Sequence, residues 1–250
     1  MKIVKNQSYE QLSGFLKSIH DQFEKTGTVI YKQRNEIRVF EINSLLVNVK
    51  RFKTPHLFNR IMYTFFRSSK AQRSFFYALK FKDMSIETAE PVAYIHTKRH
   101  GLLHYSYYIS LQADYNRSMD VFGKGSVHGR EHILKAFAKF TAKLHAKGVI
   151  HKDYAPRNIL FKEENGDIKF CIVDINRIKF GFVSISQGCK NFARLWGQKS
   201  FFDIIVRQYA AERNADPEQC LIVAMQARRK YWKRYTRKYP WPFEPDDEIF

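Results

Sequence analysis

His151-Lys-Asp-Tyr-Ala-Pro-Arg-Asn158 is followed by Ile159-Leu-Phe-Lys162, an Asn165-Gly166 pair and Ile168-Lys-Phe-Cys-Ile-Val-Asp174-Ile175. An Asn-Gly pair between two runs rich in β-branched and aromatic residues predicts a β-hairpin. The stretch therefore reads as a loop, a strand, a turn and a second strand that ends in a carboxylate. Phosphoryl transfer needs a carboxylate to orient and deprotonate an acceptor hydroxyl, and oxygen ligands that hold magnesium against nucleotide phosphates. Asp153, Asn158 and Asp174 supply both. The loop puts Asp153 and Asn158 on one turn of backbone, and the hairpin is expected to return Asp174 beside Asn158, so that two oxygens converge on one metal. Arg177, three residues on, is expected within reach of the phosphates or the acceptor.

Working upstream, Glu131 to Lys147 carries Ile133, Phe137, Phe140 and Leu144 along one face. That spacing predicts a helix, stopped by Gly148 at the position where a left-handed residue ends helices. Before it, QADYNRSMDVFGKGSVHGR is polar and glycine-rich, the composition of a hinge. The expected boundary falls near Gln112, giving an N-terminal lobe at 1–111 and a C-terminal lobe at 112–250. Tyr9 to Phe23 predicts an amphipathic opening helix through Leu12, Phe15, Leu16, Ile19 and Phe23. From Thr28 the period shortens, and VIY, EIRVFEI and LLVNVKRF predict an antiparallel meander with Asn43-Ser44 between the last two strands. Ser68 to Lys82 returns to helical spacing, and Pro91–His96 and Tyr105–Leu111 read as two more strands. The remainder is expected to be mostly helical to about Tyr239, before the proline-rich, acidic end PWPFEPDDEIF. The fold class is α+β, with an antiparallel-sheet N-lobe and a mainly helical C-lobe.

The 250 residues hold 43 Lys and Arg against 24 Asp and Glu, a formal charge of +19, with 22 Phe and 14 Tyr. This is ample core material, which excludes disorder as the main state, and a charge that selects anionic partners: nucleic acid, an anionic membrane face or phosphate-bearing molecules. Cys171, Cys189 and Cys220 are widely spaced and suggest neither a disulfide framework nor a zinc site. With no secretory leader or apolar span in view, a cytoplasmic location is expected.

The pattern HxDxxxxN, then a hairpin and an apolar-Asp pair, resembles the catalytic and metal-binding segments of the protein-kinase-like superfamily. Within it, RNEIRVFEI, EPVAYI, HKDYAPRNILF and VDINR resemble the lipopolysaccharide core kinases, the Kdo/heptose kinase family, over roughly Thr28 to Arg177. The resemblance implies a two-lobe kinase fold in which Asp153 is the catalytic base, Asn158 and Asp174 bind Mg²⁺, and Lys50 grips the ATP phosphates. It further implies that Gln112 and Asp114 border the adenine, and that His151 braces the loop. Strand alternation independently puts Asn48 and Lys50 on one face and Val47 and Val49 on the other; Lys53 has the opposite alternation. A solvent-facing strand lysine is the competing reading of Lys50.

Three departures from the pattern stand out. Phe76 occupies the place where the family's helix offers a glutamate to the strand lysine. No glycine-rich loop precedes EIRVFEI, so Arg34, Asn35 and backbone amides would meet the phosphates; the alternative is that both are ordinary turn residues. Asp174-Ile-Asn-Arg177 lacks the phenylalanine-glycine pair and activation segment of regulated protein kinases.

His96, His100 and His104 read as a solvated strand loop in preference to a metal site. Phe58 to Phe81 reads as core and membrane-surface packing in preference to base stacking. Ala227 to Tyr239 is a basic stripe with Tyr231, Trp232 and Tyr235, either a solvated helix or a docking face for anionic lipid. The expected function is transfer of the γ-phosphate of ATP, with Mg²⁺, to a hydroxyl of the lipopolysaccharide inner core, Kdo or heptose. The expected acceptor is a lipid A-linked sugar, met by a peripheral enzyme at the inner face of the inner membrane. A kinase for proteins or another small molecule, a catalytically silent kinase fold that binds ligand, and a nucleic-acid-binding protein are the alternatives, the last resting on charge and aromatic content alone.

Overall fold

A computed structural model describes residues 1–245; Asp246, Asp247 and Glu248 of the acidic end lie outside the described residues. The described residues divide into two compact units, one of residues 1–114 with 174–176, the other of residues 115–173 with 177–245.

The first unit begins with β1 (Lys2–Lys5), a 3₁₀ turn at Gln7–Leu12 and α1 (Ser13–Gln22). There follow β2 (Thr28–Lys32), β3 (Glu36–Ile42) and β4 (Leu45–Phe52), then α2 (Leu57–Phe65), α3 (Lys70–Asp83), β5 (Pro91–Arg99) and β6 (Leu102–Leu111). Six strands form one antiparallel sheet in the order β1-β5-β6-β4-β3-β2. The β3–β4 turn is made by Asn43 and Ser44, both at positive φ (51° and 62°), the twist that a two-residue hairpin requires.

Alternation along β4 sends Val47 and Val49 to one face, where they meet Leu12, Phe15, Leu16, Ile19 and Phe23 of the opening helix. Each such aromatic or aliphatic side chain, fully buried, contributes about 2 kcal/mol of transfer free energy. Phe52 lies on the opposite face and packs with Ala71 and Phe75 of α3 and with Tyr94. The opening segment is thus part of the sheet's core, and β1 adds a strand that sequence periodicity did not predict.

The second unit holds β7 (Arg117–Ser118), α4 (Glu131–Ala146), β8 (Val149–His151), β9 (Ile159–Glu164), β10 (Asp167–Ile172) and β11 (Ile178–Phe180). Helices α5 (Ile185–Asn191), α6 (Lys199–Glu212) and α7 (Pro217–Tyr235) complete it. Ile133, Phe137, Thr141 and Leu144 make the buried face of α4. Gly148 sits at φ 72°, its amide donating to His145 O at 2.9 Å, and a Cβ there would come 2.8 Å from Gly181 O. Only glycine fits that turn. β9 and β10 form the expected hairpin, in register from Ile159–Ile172 to Glu164–Asp167, and β8 pairs with β11.

Two sequence expectations change. The aromatics of the basic stripe are used internally: Trp232 is buried, and with Tyr231 and Tyr235 it packs against Trp241 and Phe243. They form no lipid-facing row. The Phe58–Phe81 segment is also two helices: α3 buries Phe75 and Phe81, whereas α2 buries none of its residues.

Candidate functional site

The loop between β8 and β9 is fixed by the histidine that opens it. His151 is fully buried. Its Nδ1 accepts from the Asp153 amide at 3.0 Å, so the ring proton is on Nε2, which donates to Val173 O at 3.2 Å. One imidazole thereby ties the turn that presents Asp153 to the end of the β9–β10 hairpin. Asn191 Nδ2 donates to His151 O at 3.0 Å, its Oδ1 lies 3.1 Å from His145 Nε2, and His145 Nδ1 lies 2.9 Å from the Tyr209 hydroxyl. A chain of buried polar groups therefore runs from α6 through α4 and α5 to the loop. Burial holds the His145 imidazole down to about 4, with Asn191 opposing the shift and Arg213 adding to it.

Asn158 Nδ2 donates to Asp153 O at 2.8 Å, and Asn158 O accepts from the Val173 amide at 3.0 Å. The sequence-predicted pair Asp153 and Asn158 is therefore brought together, with the Asn158 amide orientation set so that its carbonyl oxygen is the atom left to meet a cation. The Asp153 carboxylate faces two arginines: Arg194 Nη1 lies 2.8 Å from Oδ1, and Arg177 Nη1 lies 3.4 Å from Oδ2. Arg194 is itself held with its guanidinium 5.2 Å over the Tyr231 ring. Sequence proximity placed Arg177 near Asp174 without revealing its pairing with Asp153, and nothing local links Arg194 to the loop.

In the first unit, Lys50 Nζ lies 2.6 Å from Asp174 Oδ1. The strand lysine thus points where alternation predicted, and its carboxylate partner is the aspartate at the hairpin's end. Asp174 sits at φ 55°, and Asn176 Nδ2 donates to its Oδ1. Arg73 Nε on α3 donates to Asn176 O at 3.0 Å, anchoring the 174–176 segment on the helix. Phe76 is about half exposed and packs beside Phe75 and Tyr94, centroids 5.4 and 5.9 Å away.

Gln112 accepts from Asn48 Nδ2 at 2.7 Å, and its amide donates to Leu46 O at 2.7 Å, which fixes the end of β6 against β4. Asp114 is exposed. Asn35 Oδ1 accepts from the Lys53 amide at 3.2 Å, a turn-bracing role, while Arg34 lines a cavity with Lys53 and Lys70. Burial lowers the Lys70 pKa, and the neighbouring Arg34 adds to the effect. Among the described residues no group of three or more His, Cys, Asp or Glu is placed to hold a metal, so His96, His100 and His104 make no such centre. His96 instead meets Ser69 Oγ at 2.7 Å.

With this geometry in hand, the chain was compared with known proteins. The sequence profile of the lipopolysaccharide kinase (Kdo/WaaP) family matches residues 36–215. The chain belongs to that family. Membership of the Kdo/WaaP family implies a phosphotransferase that uses ATP. A solved structure described as WaaP in complex with acyl carrier protein matches with a TM-score of 0.63 at 16% identity, covering 94% of this chain and 100% of that one. That likeness bears out the α+β, kinase-like fold expected from HKDYAPRN and the hairpin. A serine/threonine-protein kinase, ppk34 of Schizosaccharomyces pombe, is 43% identical over 53 residues, 20% of this chain and 14% of the relative. The chain therefore spans a small part of that relative's length.

Proposed function

We propose that this Kdo/WaaP family member transfers the γ-phosphate of ATP to a sugar hydroxyl of the lipopolysaccharide inner core, on Kdo or heptose. The observation that carries the reading is the braced loop: His151 holds the Asp153 amide, and Asn158 holds the Asp153 carbonyl. A carboxylate so fixed is preorganised to orient and deprotonate a hydroxyl. Lys50 is assigned to the ATP phosphates, Arg34 and Asn35 to their outer edge, and Gln112 and Asp114 to the adenine. Arg194 and Arg177, paired with Asp153, supply positive charge for a phosphoryl group in flight.

The oxygens of Asn158 and Asp174 suit Mg²⁺, a hard cation that takes one or two protein oxygens and completes its shell with phosphate and water. When bound, the ion would neutralise phosphate charge; the protein's part is to present these two oxygens. The acceptor reading is supported by family membership, by the formal charge of +19 and by the anionic character of a lipid A-linked sugar. The enzyme would work at the cytoplasmic face of the inner membrane, bound peripherally; no helix among the described residues is long and apolar enough to cross a membrane.

The acceptor is tested by offering Kdo-bearing lipid A, heptose-extended core and a generic protein substrate side by side with Mg·ATP and reading phosphate incorporation by mass. Incorporation on a core sugar supports the reading. Incorporation only on protein replaces it.

A further inference from the structure

Helix α2 is built with its polar side inward. Arg60 donates from Nε to Leu103 O at 2.8 Å and from Nη2 to Arg99 O at 3.0 Å, and Thr64 Oγ1 accepts from the Leu103 amide at 2.9 Å. Asn59 and Tyr63 line the cavity of about 220 Å³ that lies behind the helix. The apolar positions face out: Leu57 is 63% exposed, Phe58 72% and Phe65 66%, joined by Ile61 and by Phe66 at 73% just past the helix end. At 100° per residue, Leu57, Ile61, Phe65 and Phe58 fall within an arc of about 100°. A contiguous outward stripe of this size marks an interaction surface.

Charge indicates what covers it. From Ile42 to Lys82 the sequence contains no Asp or Glu. The cavity behind α2 is lined by Arg34, Lys53, His56 and Lys70 with no carboxylate among its lining residues, and none of Arg34, Lys53 and Lys70 makes an ion pair among the described residues. The Lys70 ammonium is disfavoured first by burial and then by Arg34, with Asp174 opposing the shift in part. Phe52, at the cavity, stands four residues along β4 from Asn48 and its partner Gln112, about 13 Å at 3.3 Å per residue. The cavity is therefore at the opposite end of the strand from the assigned adenine position.

We propose that α2 and the cationic cavity behind it dock the protein on an anionic lipid bilayer. Leu57, Phe58, Ile61, Phe65 and Phe66 enter the boundary between headgroups and acyl chains, and Lys53 and Lys70 receive a lipid phosphate. The inference uses only the first unit and deepens the peripheral location proposed above, while its readout, vesicle binding, does not depend on phosphotransfer.

The test sediments the full chain with vesicles of phosphatidylglycerol and phosphatidylethanolamine, and with vesicles of phosphatidylcholine alone. Binding at least about tenfold stronger to the anionic vesicles is expected. A Phe58→Ser, Phe65→Ser, Phe66→Ser variant is expected to lose about tenfold or more of it at little changed Tm, because these side chains are mostly exposed in the free protein. A Lys53→Gln, Lys70→Gln variant should lose the preference for phosphatidylglycerol. Unchanged vesicle binding by the triple variant, or equal binding to both lipids, overturns the proposal. So does protection of Lys53 from acylation by inorganic phosphate without vesicle binding, which assigns the cavity to soluble phosphate. A solution dimer that the triple variant dissolves would assign the stripe to a second copy of the chain and overturn it too.

Discussion

Lys50 and Asp174 form an ion pair of 2.6 Å within the first unit, with the lysine side chain only 12% exposed. Lys50 thus has a carboxylate partner although Phe76 stands where the family's helix offers a glutamate. Asp174 also stands in the left-handed region, at φ 55°, which Asn tolerates and Ala does not. Asp174→Asn therefore removes charge and keeps the turn. It is expected to lower stability by about 1–3 kcal/mol, since a largely buried lysine loses its carboxylate, and to abolish turnover. Urea unfolding and initial rates measure the two; wild-type stability in the variant would show that the pair is not formed in solution.

Phe76→Ala is expected to keep most of the wild-type kcat/KM, whereas Lys50→Met loses about a hundredfold or more. A large loss in the Phe76 variant would mean that the helix face, and not Asp174, positions the lysine.

Arg194 and Arg177 hold opposite oxygens of Asp153, but only Arg194 is itself braced, over Tyr231. Arg194→Gln should therefore lower kcat by about tenfold by releasing the carboxylate, a fraction of what a general base contributes. Arg177→Gln, at an exposed guanidinium, should act mainly on KM for the acceptor. Identical kinetic signatures in the two variants would remove the distinction.

The buried His145 titrates near 4 in the folded chain against about 6.5 when unfolded. Between those values the unfolded state binds more protons, so stability is complete above about pH 6.5 and is lost as pH falls towards 4, by up to about 3 kcal/mol. His145→Gln should flatten that decline, while His96, also held down to about 4, leaves a residual slope. An unaltered pH dependence of urea midpoints in the variant would contradict the assignment.

Gly188 on α5 is pressed against the same network: a Cβ there would fall 1.9 Å from the Tyr209 hydroxyl and 2.9 Å from His145 Nδ1. Gly188→Ala is expected to push Tyr209 off His145 and cost about 1–3 kcal/mol by overpacking, read as a lowered Tm. A neutral or stabilising effect would show that the network has slack.

The local signals carried the elements of the candidate site. Asp153, Asn158 and the hairpin to Asp174 are sequence neighbours, so turn chemistry places them together, whereas Lys50 was singled out by the family resemblance and strand alternation only supported it. What failed was set by non-local pairing. The four residues of β1 become a strand because Val4 and Ile3 find Tyr94 and Ile95, which no window of four residues announces. Helical spacing around α2 was correct, but spacing does not say which face meets the protein; Arg60 and Thr64 turned the polar side inward by bonding the backbone of Leu103. Tyr231, Trp232 and Tyr235 read equally as a surface stripe until Trp241 and Phe243 folded over them. Arg194 and Arg73 reach Asp153 and Asn176 only through the tertiary fold.

The most direct measurement is transfer of labelled γ-phosphate from Mg·ATP to purified Kdo-bearing lipid A, comparing wild type with Asp153→Asn. Label on the lipid that falls by at least about a hundredfold in the variant, with ATP still raising the Tm of both proteins, is the expected result. Equal labelling by the two proteins, or no label on this acceptor or on heptose-extended core, would contradict the assignment of Asp153 as the base of a core-sugar kinase.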